Sequence, residues 1–97
     1  MPKGYWIARV DVTSAEAYAP YAAAAGPAIA KFGGRYLARG GRSESLQGPA
    51  RARNVIVEFP SYEDAVAAWN SPDYQAAKTF RDGNCEAEWV VVEGFEA

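Results

Sequence analysis

Four charged and four aromatic side chains are the ones in this chain whose types and spacing could do chemistry. Arg9, Arg35, Arg39 and Glu58 each sit in a stretch that alternates as a strand does. Guanidinium forks match carboxylates and other planar anions, and a carboxylate among them can act as base or orienter. Such a set suits an anionic or carboxylate-bearing ligand; it equally describes an ion-pair network at a subunit interface. Tyr18, Tyr21, Trp69 and Tyr74, with Phe80, recur on helical stretches, and Trp6 and Tyr36 lie on strands that would run beneath them. A pocket lined this way stacks a planar ligand and polarises it through tyrosine hydroxyls. A packed core accounts for the same residues.

Absences narrow the chemistry. There is no histidine in the 97 residues. That removes Ser/His and Cys/His nucleophile pairs, histidine metal sites and histidine haem ligation. The single cysteine, Cys85, cannot form an internal disulfide, and the carboxylate of Glu86 beside it disfavours a reactive thiolate. No GxGxxG, Walker or metal-ligand spacing occurs. Gly33-Gly34-Arg35 and Gly40-Gly41-Arg42 read as a helix stop and a loop hinge, and Arg51-Ala52-Arg53 as a solvated loop end. No metal and no cofactor is expected, and any reaction rests on carboxylates, Arg, Lys, Tyr or backbone groups, or on a cofactor that arrives with its own reactivity.

The bulk numbers set further bounds. Hydrophobic residues make up 49% and aromatic ones 13%, which argues for a packed domain rather than disorder. Residues 1–97 are expected to form one domain. A net charge of −2, with both signs interspersed, argues against nucleic-acid binding, which needs a positive field. No apolar run approaches the ~20 residues of a membrane span. Met1-Pro2-Lys3-Gly4 leads into a strand without a signal-peptide pattern, so a cytoplasmic protein of bacterial type is expected.

The elements that must position these side chains follow from periodicity. Tyr5 to Asp11 alternates as a first strand. Thr13-Ser14-Ala15-Glu16 fits a capping box, so a helix starts near Ser14 or Ala15 and runs to Gly33-Gly34. Pro20 and Pro27 inside it predict two bends, or a short turn before a main helix from Pro20. Arg35 to Arg39 is the second strand, and the Gly-, Ser- and Arg-rich residues 40–52 form a loop, mobile or functional at that length. Asn54 to Phe59 is the third strand, stopped by Pro60. Ser61 caps a helix, which Ser71-Pro72-Asp73 interrupts and restarts and Asp82-Gly83-Asn84 ends. Glu86 to Gly94 is the last strand, and Phe95 to Ala97 trail off. The order predicts an α+β, ferredoxin-like βαββαβ fold: a four-stranded antiparallel sheet with its helices on one face.

That sheet has two apolar faces. Trp6, Ala8 and Val10, Tyr36 and Ala38, and Val55, Val57 and Phe59 form rows for the helices to cover. The opposite rows still hold Tyr5, Ile7, Leu37 and Ile56, together with Arg9, Arg35, Arg39 and Glu58. The last strand has Trp89 and Val91 on one row and Val90 and Val92 on the other, so parity cannot say which faces the helices. On this pairing Arg9, Glu58 and Arg39 could meet. An uncovered apolar face forgoes several kcal/mol at about 1.5–3 kcal/mol per large aliphatic side chain. A homodimer packed sheet to sheet is therefore expected.

The stretches GYWIARVDV, KFGGRYLARGG, NVIVEFPSYEDAVAAWNSPDYQAAK and VVVEG resemble, in order and spacing across almost the whole chain, the family called domain of unknown function 1330. The resemblance implies a dimeric α+β barrel, two ferredoxin-like sheets facing one another with helices outside. The wider superfamily includes small oxygenases acting on aromatic polyketides, muconolactone isomerase, haem-degrading enzymes and transcriptional sensor domains. For the family itself no reaction and no catalytic residues are implied. The expected function is binding or transformation of a small planar or carboxylated metabolite, as by a cofactor-free oxygenase or isomerase. The alternative is a non-catalytic metabolite-binding or accessory dimer. A cavity of roughly 300 Å3 or more with convergent polar groups favours the first.

Overall fold

The alternating rows of the strands become the two faces of one antiparallel sheet. In the computed structural model, which describes residues 2–96, the order is β1 (Gly4–Val12), α1 (Ala15–Ala30), β2 (Arg35–Arg39), β3 (Arg53–Phe59), α2 (Tyr62–Asn70), α3 (Pro72–Arg81) and β4 (Cys85–Glu93). Met1 and Ala97, the outermost residues of the leading and trailing segments, lie outside the described residues. The sheet order is β2-β3-β1-β4, so β1 and β3 are central and β2 and β4 are edges.

Local signals set the helix ends. The Ser14 hydroxyl accepts from the Ala17 amide and the Ser61 hydroxyl from the Asp64 amide. Ser71 closes α2 and caps α3: its hydroxyl donates to the Ala68 carbonyl and accepts from the Tyr74 amide. Gly33, at φ 79°, ends the turn after α1, in the left-handed region that glycine enters without steric cost. Of the two expectations at the prolines, the separate turn before Pro20 does not form: α1 is one helix through Pro20 and Pro27. Each proline frees the carbonyl four residues back, on Glu16 and Ala23, and both residues are exposed, so water can satisfy those groups.

Trp6, Ala8 and Val10 of β1 and Val55, Val57 and Phe59 of β3 are buried beneath the helices, as their rows required. Trp6 is the hub. Its ring centroid lies 5.0 Å from Phe59, 4.9 Å from Tyr74 and 5.8 Å from Trp69, and its Nε1–H donates to the Ala65 carbonyl at 2.9 Å. Register settles β4: Val91 pairs with Trp6 and Trp89 with Ala8, so Trp89 and Val91 share the helix side while Val90 and Val92 face away. Phe80, expected in the aromatic core, is 48% exposed on α3. Among the described residues no helix is long and apolar enough to cross a membrane.

Candidate functional site

A single inserted residue reshapes the site. Tyr36 pairs with Val57 but Ala38 pairs with Ile56, so Leu37 is an extra residue bulged out of β2. After the bulge every side chain changes face. Ala38, expected under the helices, lies on the outer face opposite Ile56. Arg39, expected on the outer face, pairs with Val55 and lies on the helix side, its guanidinium 4.8 Å from the centroid of the Tyr36 ring.

The arginine–glutamate set therefore separates. Glu58 and Arg35 stay together on the outer face, with Arg35 Nε donating to Glu58 Oε1 at 3.0 Å and the Tyr5 hydroxyl donating to Oε2 at 3.0 Å. Arg9 also faces outward, but it pairs with Asn54, four positions along β1 from the residue opposite Glu58, about 13 Å away. Arg9 donates instead to the Pro49 carbonyl at 2.6 Å. The expected meeting of Arg9, Glu58 and Arg39 does not occur. Nor is residues 40–52 a detached loop. Arg51 reaches Asp11, Glu86 and Glu88 on the outer face, and the Ala52 amide donates to Asp11 at 2.8 Å, strapping the loop's end across β1 and β4.

Bonds from Arg35 and then Tyr5 hold the Glu58 carboxyl below its usual 4.5. Because the folded value is the lower one, the stabilisation is full above pH 4.5 and is lost as pH falls through the folded value. Thermal melts of wild type and Glu58→Gln should thus differ most at neutral pH and converge on acidification. Parallel curves across that range would contradict the assignment.

The helix side carries the more complete site. A cleft of about 480 Å3 opens between α1 and the β2–β3 edge, lined by Tyr18, Tyr21, Tyr36, Arg39 and Arg53 with Ala22 and Ala23 at its rim. Arg53, taken from the sequence as a solvated loop end, is half-buried here, and its Nε is buried without a hydrogen-bond partner. Gly40 makes room for it, since a Cβ there would crowd the Arg53 guanidinium. Burial pushes the Tyr18 phenol above its ordinary value, while Arg53 pulls it the other way. No carboxylate lines the cleft. Among the described residues neither Arg39 nor Arg53 forms an ion pair. Behind it lies a void of about 20 Å3 lined by the same three tyrosines and Arg53 together with Trp6 and Trp89, room for one water.

Of the four aromatic candidates, Tyr18 and Tyr21 line the cleft. Tyr74 is fully buried behind Tyr21, their hydroxyls 2.9 Å apart. Trp69 lies elsewhere, in an apolar groove of about 250 Å3 between α2 and β4 with Trp6, Val66 and Trp89. Sequence reading missed Arg81. It is buried at 6% exposure, donates to the Tyr74 hydroxyl at 3.2 Å, and stacks on Trp89 with its guanidinium carbon 4.2 Å from the ring centroid. Its spacing was the available signal: Tyr74 and Arg81, seven apart, fall on one face of α3.

This architecture is a ferredoxin-like α+β fold, shared with solved proteins that are described as dimeric. Within that class the chain belongs to the family described as Domain of unknown function (DUF1330), which matches residues 3–95. It is similar to the crystal structure of the RPA0582 protein of unknown function from Rhodopseudomonas palustris: TM-score 0.80, 22% identity, over 99% of this chain and 85% of that one. It is also similar to a dimeric protein of unknown function and ferredoxin-like fold from Bacteroides fragilis: TM-score 0.56, 17% identity, over 94% of this chain and 95% of that one. A third similar structure is SnoaB, a cofactor-independent oxygenase from Streptomyces nogalater: TM-score 0.56, 13% identity, over 100% of this chain and 97% of that one. No curated protein matches the chain.

Proposed function

We propose that the protein binds a small, planar, anionic metabolite in the cleft between α1 and the β2–β3 edge. The observation that carries this reading is the pair Arg39 and Arg53, lining one tyrosine-walled cleft without a carboxylate to neutralise them. Two cations facing an aromatic slot suit a carboxylate on a flat ring, held by forked hydrogen bonds and stacking. Arg9, Arg35 and Glu58 take the other role in this reading, as polar contacts of the outer face.

That outer face supports pairing of two copies. Ile7, Leu37, Ile56, Val90 and Val92 are all partly exposed on it, and related folds are described as dimeric. Sheet-to-sheet packing would cover them. A second reading adds turnover. The fold similarity to a cofactor-independent oxygenase and the tyrosine hydroxyls in the cleft favour it. The absence of any carboxylate base from the lining favours binding alone.

The test uses 2-naphthoate, a planar carboxylate, titrated by calorimetry and by quenching of the tryptophans. Arg53→Met should weaken binding about 10- to 100-fold, the loss of a charge-assisted bond of about 1.5–3 kcal/mol. Arg51→Met, on the opposite face, should leave it unchanged. Absence of naphthoate binding, or equal affinity in Arg53→Met, would overturn the reading.

A further inference from the structure

Tyr21 lines the cleft, and Tyr74 and Arg81 are sealed behind it, with Arg81 bonded to the Tyr74 hydroxyl and its guanidinium 5.1 Å from the centroid of the Tyr21 ring. An arginine can only donate hydrogen bonds. The Tyr74 oxygen therefore accepts from Arg81, which polarises the phenol. The Tyr74 proton then needs an acceptor. Tyr74 has no exposed surface, and among the described residues its hydroxyl meets only Arg81 and the Tyr21 hydroxyl. If Tyr21 donated to Tyr74, the Tyr74 proton would be left buried and unmatched, which costs free energy. The arrangement without that cost runs one way: Arg81 to Tyr74, Tyr74 to Tyr21, and the Tyr21 proton outward.

A second observation points the same way. The buried side-chain nitrogen and oxygen atoms lacking a partner, among the described residues, are Arg53 Nε, Arg81 Nε and Trp89 Nε1. All three are donors, and two belong to cations. What this interior lacks is an acceptor, preferably a charged one. Burial keeps the Tyr21 phenol protonated, so it remains a donor across the working pH range.

We propose that the chain Arg81–Tyr74–Tyr21 ends in a hydrogen-bond donor built to hold an oxyanion, and that the bound molecule carries a phenolate or enolate oxygen there. Tyr21 touches that oxygen; Tyr74 and Arg81 are positioning residues acting through it. This rests on the cleft reading above and deepens it: Arg39 and Arg53 hold one anionic end, and Tyr21 stabilises a second oxygen. The ligand class is an aromatic or enolised ring rather than a simple carboxylate. Such a donor lowers the energy of the deprotonated ring, the form from which carbanion chemistry proceeds.

The experiment uses 4-nitrophenol as probe, whose phenolate is yellow and whose phenol is not. At a fixed pH below the free probe's titration midpoint, the bound phenolate-to-phenol ratio should rise about tenfold over free solution in wild type. Tyr21→Phe, which keeps the ring and its packing, should lower the ratio to what Arg39 and Arg53 alone sustain, well below wild type. Tyr74→Phe should give an intermediate ratio, because Tyr21 keeps its proton but loses its polariser. Circular dichroism on each variant verifies the fold. A ratio in Tyr21→Phe equal to wild type overturns the proposal, as does a Tyr74→Phe ratio equal to wild type. A protein that binds 2-naphthoate but leaves the nitrophenol titration unmoved overturns this inference alone. One that binds neither removes the cleft reading with it.

Discussion

Ile56→Lys should convert the protein from a particle of two chains to one of a single 10.5 kDa chain by light scattering at micromolar concentration. Ile56 sits on central strand β3, paired with Ile7 on one side and Ala38 on the other, so it lies in the middle of the outer apolar face. Ile7 and Ile56 are 40% and 37% exposed, and Val90 reaches 55%. At this degree of exposure, covering each such residue contributes about 1 kcal/mol, so a five-residue patch gives about 5 kcal/mol from each copy towards association. A lysine at its centre removes part of that and adds a desolvated charge without a partner. The dissociation constant should rise at least about 100-fold, the equivalent of about 2.7 kcal/mol. Thr79→Lys, exposed on α3, serves as the charge control and should leave the mass unchanged. A wild-type mass of one chain, or an Ile56→Lys protein that still pairs, would refute the sheet-to-sheet arrangement.

Trp6→Ala should cost about 3–5 kcal/mol, the range for deleting a buried tryptophan, out of a total stability of about 5–15 kcal/mol. Trp6 is 1% exposed and carries edge or tilted contacts to Phe59, Trp69 and Tyr74. Its removal also deletes the indole hydrogen bond to the Ala65 carbonyl that ties β1 to α2. The urea midpoint should fall accordingly. Trp6→Phe retains a ring but loses the indole N–H, and should cost clearly less. A Trp6→Ala protein within about 1 kcal/mol of wild type would mean that the aromatic hub is not what anchors the helices to the sheet.

These two tests bear on opposite faces of one sheet, and the separation matters for function. Most charges on the outer face are matched, Arg35 with Glu58 and Arg51 with Asp11, Glu86 and Glu88, while Arg9 is held by the Pro49 carbonyl. On the helix side Arg39 and Arg53 stand among tyrosines without a matching carboxylate. Matched charges suit an interface, and unmatched ones suit an anion from solution. Glu58, a candidate base or orienter from its place in the strand, faces away from the cleft and cannot serve it.

Much was legible along the chain because it depends on short-range order. Ser71-Pro72 announced the break between α2 and α3, Gly33 the end of α1, and alternation the strands. The rows under the helices followed from counting by two, and so did the excess of apolar surface on the other face. Counting by two fails where a residue is inserted, and nothing local marks Leu37 as the bulge in β2. That insertion is decided by how β2 pairs with β3, across the 40–52 loop, and it carried Arg39 from one face to the other.

The amino-acid order by itself determined the succession of elements, the family and the absence of any histidine. Only the folded chain decided which of those groups meet: Arg53 with Tyr18 at the cleft, and Arg81 with Tyr74 and Tyr21 behind it. The reason is range. Periodicity and capping act over a few residues, whereas a site is made by groups up to dozens of positions apart, brought together by strand register and helix packing.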